Sequence, residues 1–148
     1  MTERRSTAQR VDHAKSLLQH EADTWIATAS AQGEAHLVPL SLSWDGSSIV
    51  LATEAGSATA RNIAATGGAR LAVGSSRDVV LIHATAITLP CDEADESTCA
   101  TFVGRTGWNP IEEAGQWVFI VAKPIKILVW QNVVEMPGRT AMRDGEWL

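Results

Sequence analysis

The pattern of apolar and polar positions predicts one helix at the start of the chain and strands after it. The helix is predicted over residues 8–21, where Val11, Ala14 and Leu18 recur at helical spacing between charged residues. From Thr24 onward the apolar positions alternate or form short β-branched runs, which is typical of strands. The predicted strands are residues 24–29, 35–44, 48–53, 69–73, 79–89 and 116–130.

Turn and cap signals divide these elements. Asp45-Gly46 is the strongest hairpin dipeptide in the chain. Ser57 is a good N-cap for a short second helix. A third helix is predicted over residues 92–107, with Asp92 as its cap. Pro124 interrupts the last strand and therefore predicts a sheet edge or a bulge there.

These elements predict a mainly β fold with short α-helices, in which the strands are antiparallel. Closing such a sheet into a barrel removes its exposed edges. The chain reads as a single domain over residues 1–148, with the N-terminal helix inside residues 1–22 and a polar C-terminal tail over residues 131–148.

Composition and charge narrow the class of protein. The chain is 45% apolar and carries a formal charge of −5 with scattered basic residues, which argues against a nucleic acid or an anionic membrane as partner. No apolar run approaches the roughly 20 residues of a spanning helix. The polar N-terminus does not look like a secretory signal. We expect a cytoplasmic protein.

The residues offer no nucleophile constellation and no dinucleotide fingerprint. Cys91 and Cys99 have neither zinc-ligand spacing nor a cationic neighbour, so we expect no metal site and two incidental thiols. Of the four histidines, His36 and His83 fall in predicted strands, where each reads as a satisfied barrel histidine.

One segment, residues 53–62, has the pattern of elements and residue types that is typical of an anion site. It is a strand end, a turn and a helix start. The free N–H groups and the dipole of a helix N-terminus favour a phosphate. Ser57 and Thr59 can add hydroxyl donors and Arg61 a charged one. An ordinary capped helix explains the same residues.

Several short motifs of the chain follow one another in the same order as in a known superfamily. "WIATAS", a glycine turn, "HLVPL", "WDG", "LAT", "GSATARN" and then "VVLIHATA" follow one another as in the pyridoxamine 5′-phosphate oxidase-like split-barrel superfamily, also called the flavin/deazaflavin oxidoreductases. The resemblance covers roughly residues 24–148. Each motif is degenerate, so the specificity lies in their order.

The resemblance implies a fold, a cofactor and a reaction. The fold is a six-stranded antiparallel split β-barrel of the FMN-binding type, and the functional unit is a homodimer with the cofactor in a groove between the subunits. The cofactor is FMN or the deazaflavin F420, and the reaction is hydride transfer to or from a small organic substrate. The alternatives are a non-catalytic carrier or sensor of a flavin or haem, and an interaction barrel with an empty groove.

The resemblance also implies which residues bind the cofactor. The residues along the ring are His36, Leu37, Val38, Pro39 and Leu40. The residues at the phosphate are Thr53, Ser57, Thr59, Arg61 and Asn62. An aromatic residue from the partner subunit commonly lies near the ring, and the matching candidates are Trp108, Trp117 and Trp130. Many members carry a Lys within "GSxKAxN", where this chain has Thr59.

The ring segment can also be argued from its residues. Alternation places His36 and Val38 on one face, and Leu37 and Pro39 on the other. Pro39 donates no N–H, so pairing is broken there and neighbouring backbone groups are free to contact a ring. We therefore expect main-chain atoms of residues 36–40 to make the ring contacts. The alternative is that Pro39 only ends pairing at a barrel corner.

Overall fold

A computed structural model describes residues 3–148. Its α-helices are α1 (Thr7–His20), α2 (Ala58–Thr66) and α3 (Glu96–Thr106). Its strands are β1 (Asp23–Ala29), β2 (Ala35–Ser41), β3 (Ser43–Trp44), β4 (Ile49–Glu54), β5 (Gly68–Ser75), β6 (Asp78–Pro90), β7 (Trp117–Trp130), β8 (Thr140–Arg143) and β9 (Glu146–Trp147).

The strands form one antiparallel sheet in the order β2-β1-β5-β6-β7-β4-β3, and β8 and β9 extend it from β7. The first half of β7 pairs with β4, and its second half pairs with β8. Because the long strands β6 and β7 carry partners along their whole length, the sheet curls into an open half-barrel. The prediction of a mainly β, antiparallel split-barrel fold is confirmed.

Two predicted segments differ in detail. The strand expected over residues 35–44 is split at Leu42 into an exposed edge strand, β2, and the short β3. The Asp45-Gly46 hairpin is confirmed, because it joins β3 to β4 with Ser43 opposite Val50. The segment expected as a polar tail contains the hairpin β8–β9, which packs because Ala141 and Met142 are buried.

The bulge predicted at Pro124 is confirmed. The pairing of β6 with β7 passes from His83–Lys126 directly to Ala84–Pro124, which leaves Ile125 without a partner in that ladder. The carbonyl of Ile125 instead accepts a hydrogen bond of 2.8 Å from Gly145 N. The bulge therefore anchors the β8–β9 turn.

The main core lies inside the curl, between the sheet and helices α1 and α2. Its centre includes Leu18 of α1, Ile63 of α2, and Ile26, Ile82 and Ile127 of the sheet. Helix α1 begins at a capping box, in which Ser6 Oγ accepts from Gln9 N at 3.1 Å and Ser6 N donates to Gln9 Oε1 at 2.8 Å. The buried side chains of Val11, Ala14 and Leu18 hold the helix against the sheet.

A smaller core covers the opposite face of β4 and β7. Phe102 of α3 packs on Phe119 of β7 with ring centroids 5.4 Å apart, and Ala52 and Cys91 complete the cluster. The predicted cap of this helix was wrong. Asp95, and not Asp92, caps α3 by accepting from Thr98 N at 2.8 Å, because residues 91–93 form a short 3₁₀ turn first.

Candidate functional site

The turn between β4 and α2 holds the residues of the predicted anion site. Ser57 caps α2, and its hydroxyl accepts from Ala60 N at 3.1 Å. Thr53, at the end of β4, donates to Ser57 Oγ at 3.1 Å. The Ser57 hydroxyl proton is therefore still available to a ligand. We call Thr53, Ser57, Arg61 and the first turn of α2 the phosphate cradle.

The cradle also carries free backbone donors. Ala58 N and Thr59 N have no hydrogen-bond acceptor among residues 3–148, as expected for the first turn of a helix. A Cβ built on Gly56 would meet nothing within 4 Å, so the turn is open on its outer side. Two N–H groups and a hydroxyl thus converge where the helix dipole favours negative charge.

The other predicted phosphate residues have different surroundings. Thr59 is 1% exposed, so its side chain lies inside the barrel and not at the open turn. Asn62 is also buried and donates to Thr28 Oγ1 at 3.1 Å, which ties α2 to β1. Arg61 is exposed and donates to the Gly56 carbonyl. Arg61 is therefore the cation at the rim of the cradle.

Strand β2 has the two faces that alternation predicts. His36, Val38 and Leu40 are half-buried, and Val38 and Leu40 pack on the main core. On the other face, Leu37 is 60% exposed and Pro39 is also exposed. Because, within residues 3–148, β2 pairs with β1 alone, its outer edge is open to the described part of the chain along residues 35–41. Pro39 lies on an edge strand, as expected, but the expected break in pairing is absent, because the ladder with β1 runs without a register shift through Trp25–Pro39.

Two of the predicted tryptophans, Trp108 and Trp117, lie close to β2 of the same chain. Trp108 and Trp117 pack edge to face with ring centroids 5.0 Å apart. Together with Pro39, Leu40 and other residues they line a cavity of about 360 Å³. Trp108 Nε1 donates to Glu113 Oε1 at 2.8 Å, and this bond fixes the ring. We call this space the tryptophan cavity.

Strand β4 connects the cavity with the cradle. Ala52 lines the cavity, and the next residue, Thr53, begins the cradle. Trp117 lies directly opposite Glu54, the last residue of β4, and Ala55 N donates to Gln116 O at 2.9 Å. Because successive residues of a strand point to opposite faces, the side chains of Ala52 and Thr53 lie on opposite faces of β4, with the cavity on the Ala52 side.

Trp130 is placed apart from the other two candidates. It lies opposite Val79 at the far end of β6 and β7, where the guanidinium of Arg139 stacks 5.7 Å from its ring centroid. Sequence reasoning missed Trp25, which is 50% exposed and lies directly opposite Pro39. The outward position of Trp25 in the alternation of β1 was the available signal.

The thiol of Cys91 is a poor nucleophile. Cys91 is buried, and burial together with Cys99 and Asp92 raises the pKa of its thiol to about 11. It therefore stays protonated near neutral pH. Among residues 3–148, no cluster of three His, Cys, Asp or Glu side chains is suited to a metal ion. None of the helices described there combines the length and hydropathy needed to cross a membrane.

Comparison with known families decides the broad identity. The pyridoxamine 5′-phosphate oxidase family model matches residues 11–131. The chain belongs to this family. The match includes the anion cradle and all three predicted tryptophans, and it confirms the resemblance noted in the sequence. A comparison with curated proteins finds no match.

Solved structures share the fold of this family member at low identity. One is described as an F420 reductase (TM-score 0.62, 19% identity, 76% of this chain and 94% of that one). Another is a pyridoxamine 5′-phosphate oxidase-related, FMN-binding protein from Nostoc punctiforme (0.56, 13%, 84% and 81%). A third is a haem-binding protein from Mycobacterium smegmatis (0.68, 15%, 97% and 60%). Proteins of this fold therefore include flavin, deazaflavin and haem binders.

Proposed function

We propose that this chain is an oxidoreductase that binds FMN or F420 and transfers a hydride to or from a small organic substrate. The observation that carries the proposal is the donor set of the phosphate cradle at the end of β4. The tryptophan cavity lies on the other face of the same strand, where Ala52 lines it. A cofactor with a phosphate at one end and a flat ring system at the other would pass round the end of β4 to reach both.

The donor set of the cradle fits a phosphate. It offers the Ser57 hydroxyl, the free N–H groups of Ala58 and Thr59, and the Arg61 guanidinium at the rim. These are hydrogen-bond donors aimed at one open turn, and a dianion accepts from all of them. The chain has Thr59 where many members carry Lys, so Arg61 supplies the positive charge.

The ring would lie beside the open edge of β2. Main-chain groups of residues 36–40 can contact its polar edge, and Trp108 and Trp117 can shield it from water. When bound, the flavin or deazaflavin supplies the hydride chemistry. The residues of the chain bind and orient it and keep water out, so no protein acid or base is required for the transfer.

The functional unit we propose is a homodimer built on the outer face of the sheet. Trp25, Leu37 and Ile87 are large apolar residues that lie half or more exposed on this face. Leu37 lies directly opposite Ala27, which is two residues from Trp25 on β1, so Leu37 and Trp25 point to the same side of the sheet. The pairing of β1 with β5, and of β5 with β6, places Ile87 on that side as well. A second copy that covers this face would bury them and enclose the ring from the open side.

Cofactor titration tests the proposal. Purified apoprotein is titrated with FMN and, separately, with F420, and binding is followed by the change in cofactor fluorescence. We expect saturable binding of one of the two, and reduction of the bound cofactor followed by reoxidation with an organic acceptor. Failure of both cofactors to bind would overturn the proposal.

A haem-binding carrier or sensor is the second candidate. The haem-binding protein from Mycobacterium smegmatis shares the fold over 97% of this chain. The matched experiment is titration of the same apoprotein with haem, followed by the Soret band. Saturable haem binding without flavin binding would favour this candidate over the oxidoreductase.

A further inference from the structure

A second, larger cavity opens at one end of the sheet. Its volume is about 710 Å³, and it is lined by residues of β1, β2, α2, β5, β6, β7 and β8 and of the turn after β8. It shares no lining residue with the tryptophan cavity. Its wall contains Arg70, His83, Lys126 and Arg143, and we call it the cationic cavity.

Three of these basic residues form a row across the sheet. Arg70 of β5 lies directly opposite His83 of β6, and His83 lies directly opposite Lys126 of β7. Side chains directly opposite in an antiparallel pair have Cβ atoms about 4.5–5.5 Å apart, and like charges in such positions are destabilising. The row therefore disfavours the protonated form of His83, and it holds Arg70 and Lys126 two strand spacings apart, roughly 9–10 Å, although nothing in the packing of the sheet requires either cation.

The positive charge of the row has no internal counterpart. Within residues 3–148, Arg70, Lys126 and Arg143 form no hydrogen bond or ion pair through their side chains. The ion pairs in that part of the chain are Arg5–Glu135 and His13–Asp78, both elsewhere. Asp144 also lines the cavity but bonds to none of the cations. This local excess of positive charge contrasts with the net charge of −5 of the whole chain.

The state of His83 reflects its surroundings. Burial, and then the nearby charges of Arg70 and Lys126, lower the pKa of its imidazole. The ring is therefore neutral near pH 7 and offers one N–H donor between two cations. This is a set of donors without an acceptor, and an oxyanion would supply the acceptor.

Apart from Ile125, the uncharged part of the wall is small and weakly polar. Ala27, Ala29 and Ala84 line it together with Thr66. Short side chains leave room for an organic body to lie against the sheet, with the cations at its charged end. The cavity is thus shaped for more than a bare inorganic ion.

We propose that the cationic cavity binds a small organic anion, whose carboxylate or phosphate oxygens are held by Arg70, Lys126 and Arg143. The apolar part of this ligand lies on the alanine-lined wall. The proposal does not depend on flavin binding, because it rests on the basic row and the cavity alone. It assigns to the chain a second ligand site, separate from the phosphate cradle and, because Ala27 pairs with both Leu37 and Arg70, on the same outer face as the proposed dimer interface.

The test uses apoprotein and defined probes. Citrate represents carboxylate ligands, and glycerol 3-phosphate represents phosphate ligands. Each is titrated by isothermal calorimetry at constant ionic strength against sodium chloride, so that screening is matched. We expect saturable binding of at least one probe, and the better probe identifies the charged group of the ligand. If neither probe binds beyond chloride, the proposal is overturned.

Substitutions distinguish an anion-binding role of these residues from a purely structural one. Arg70→Gln and Lys126→Gln should each lower the affinity for the probe about tenfold or more, which is the effect of losing a charged hydrogen bond. Arg77→Gln is the matched control, because Arg77 is an exposed arginine in the turn at the other end of β5 and β6. Equal weakening in the control would mean that only net charge matters, and would overturn the proposal.

In the absence of anion, the melting temperature of the same variants should not fall, although their affinity for the probe does. Without anion, Arg70→Gln removes a repulsion in the row, so its melting temperature should equal or exceed that of the parent protein. With saturating probe the order should reverse, because only the parent gains the full stabilisation from the ligand. A variant that melts lower with and without probe by the same amount would contradict the assignment.

Discussion

Arg5 and Glu135 form a two-pronged ion pair that joins the start of the chain to its last segment. Arg5 Nε donates to Glu135 Oε2 and Arg5 Nη2 donates to Oε1, both at 2.9 Å. Glu135 is 0% exposed, and its carboxylate also accepts from Gln131 N at 2.9 Å. These bonds, chiefly those from the Arg5 side chain, lower the pKa of Glu135 to about 2.

This ion pair predicts a loss of stability in acid. Because the folded-state pKa of Glu135 is depressed, its contribution is complete above the unfolded value of 4.5 and is lost as the pH falls toward 2. The contribution is on the order of 3 kcal/mol. Urea unfolding at a series of pH values should show the parent losing this stability, whereas Glu135→Gln is less stable at neutral pH and loses less on acidification.

The matched control for this prediction is Glu3→Gln, an exposed carboxylate near the same terminus. It should follow the parent at every pH. If Glu135→Gln and the parent lose stability in parallel down to about pH 2, the acid sensitivity has another source.

Arg61→Ala should weaken cofactor binding at the phosphate cradle by roughly 1.5–3 kcal/mol, the range for hydrogen bonds that involve a charged group. Arg61 is the cation at this turn, and its side chain is exposed, so the fold should tolerate the change. Cofactor fluorescence titration measures the effect, with Arg77→Ala as a control of equal charge. Unchanged affinity would mean that the anion is held elsewhere.

Val38→Ala should keep cofactor affinity within about tenfold, since the lost methyl pair is worth about 1–1.5 kcal/mol. Val38 points toward the main core, so the prediction follows if main-chain atoms of β2 make the ring contacts. The same titration checks it, with a thermal melt to confirm folding. A loss of a hundredfold in a folded variant would show that the Val38 side chain itself contacts the ring.

The local signals in the sequence explain why much of the fold could be predicted. The Asp45-Gly46 turn, the Ser57 cap and the bulge at Pro124 each depend on a residue with a strong backbone preference, and each is present. The hairpin β8–β9 was missed because its strands are too short for alternation to be visible. Its stability comes from tertiary contact with β7.

The candidate site could be predicted only in part. The hydroxyl and backbone donors of the cradle follow from a helix start, which is a local feature. Whether a side chain faces the ligand depends on the packing of the helix, and so the burial of Thr59 was not visible. The meeting of Trp108 and Trp117 with Pro39 depends on how the sheet curls, as does the row from Arg70 to Lys126.

Leu37→Glu should dissociate the proposed dimer. Leu37 is exposed in the single chain and would be buried at the interface, where an unpaired carboxylate is costly. Light scattering at micromolar concentration should give twice the chain mass of 15.8 kDa for the parent and the single mass for the variant. Val133→Glu is the control, because Val133 is 79% exposed but lies outside the proposed face. A parent protein that is already monomeric would contradict the dimer.

Anion binding in the cationic cavity should strengthen as the pH falls. His83 is neutral near pH 7 because its pKa is lowered below 6.5, and protonation adds a positive charge beside the bound anion. The charged groups that line the cavity with it are Arg70, Lys126, Arg143 and Asp144. Burial, and then the charges of Arg70 and Lys126, lower the pKa of the ring, and a bound anion would offset those two charges.

Sulfate is the suitable probe for this pH dependence, because its own charge does not change between about pH 7 and about pH 5.5. The parent should bind sulfate more tightly at the lower pH, and binding should take up a proton. His83→Gln keeps a hydrogen-bonding side chain but cannot gain a proton, so its affinity should stay flat across the same range. His20→Gln is the control, since His20 is exposed on α1. If the increase persists in His83→Gln, another group binds the proton, and the placement of the anion beside His83 is wrong.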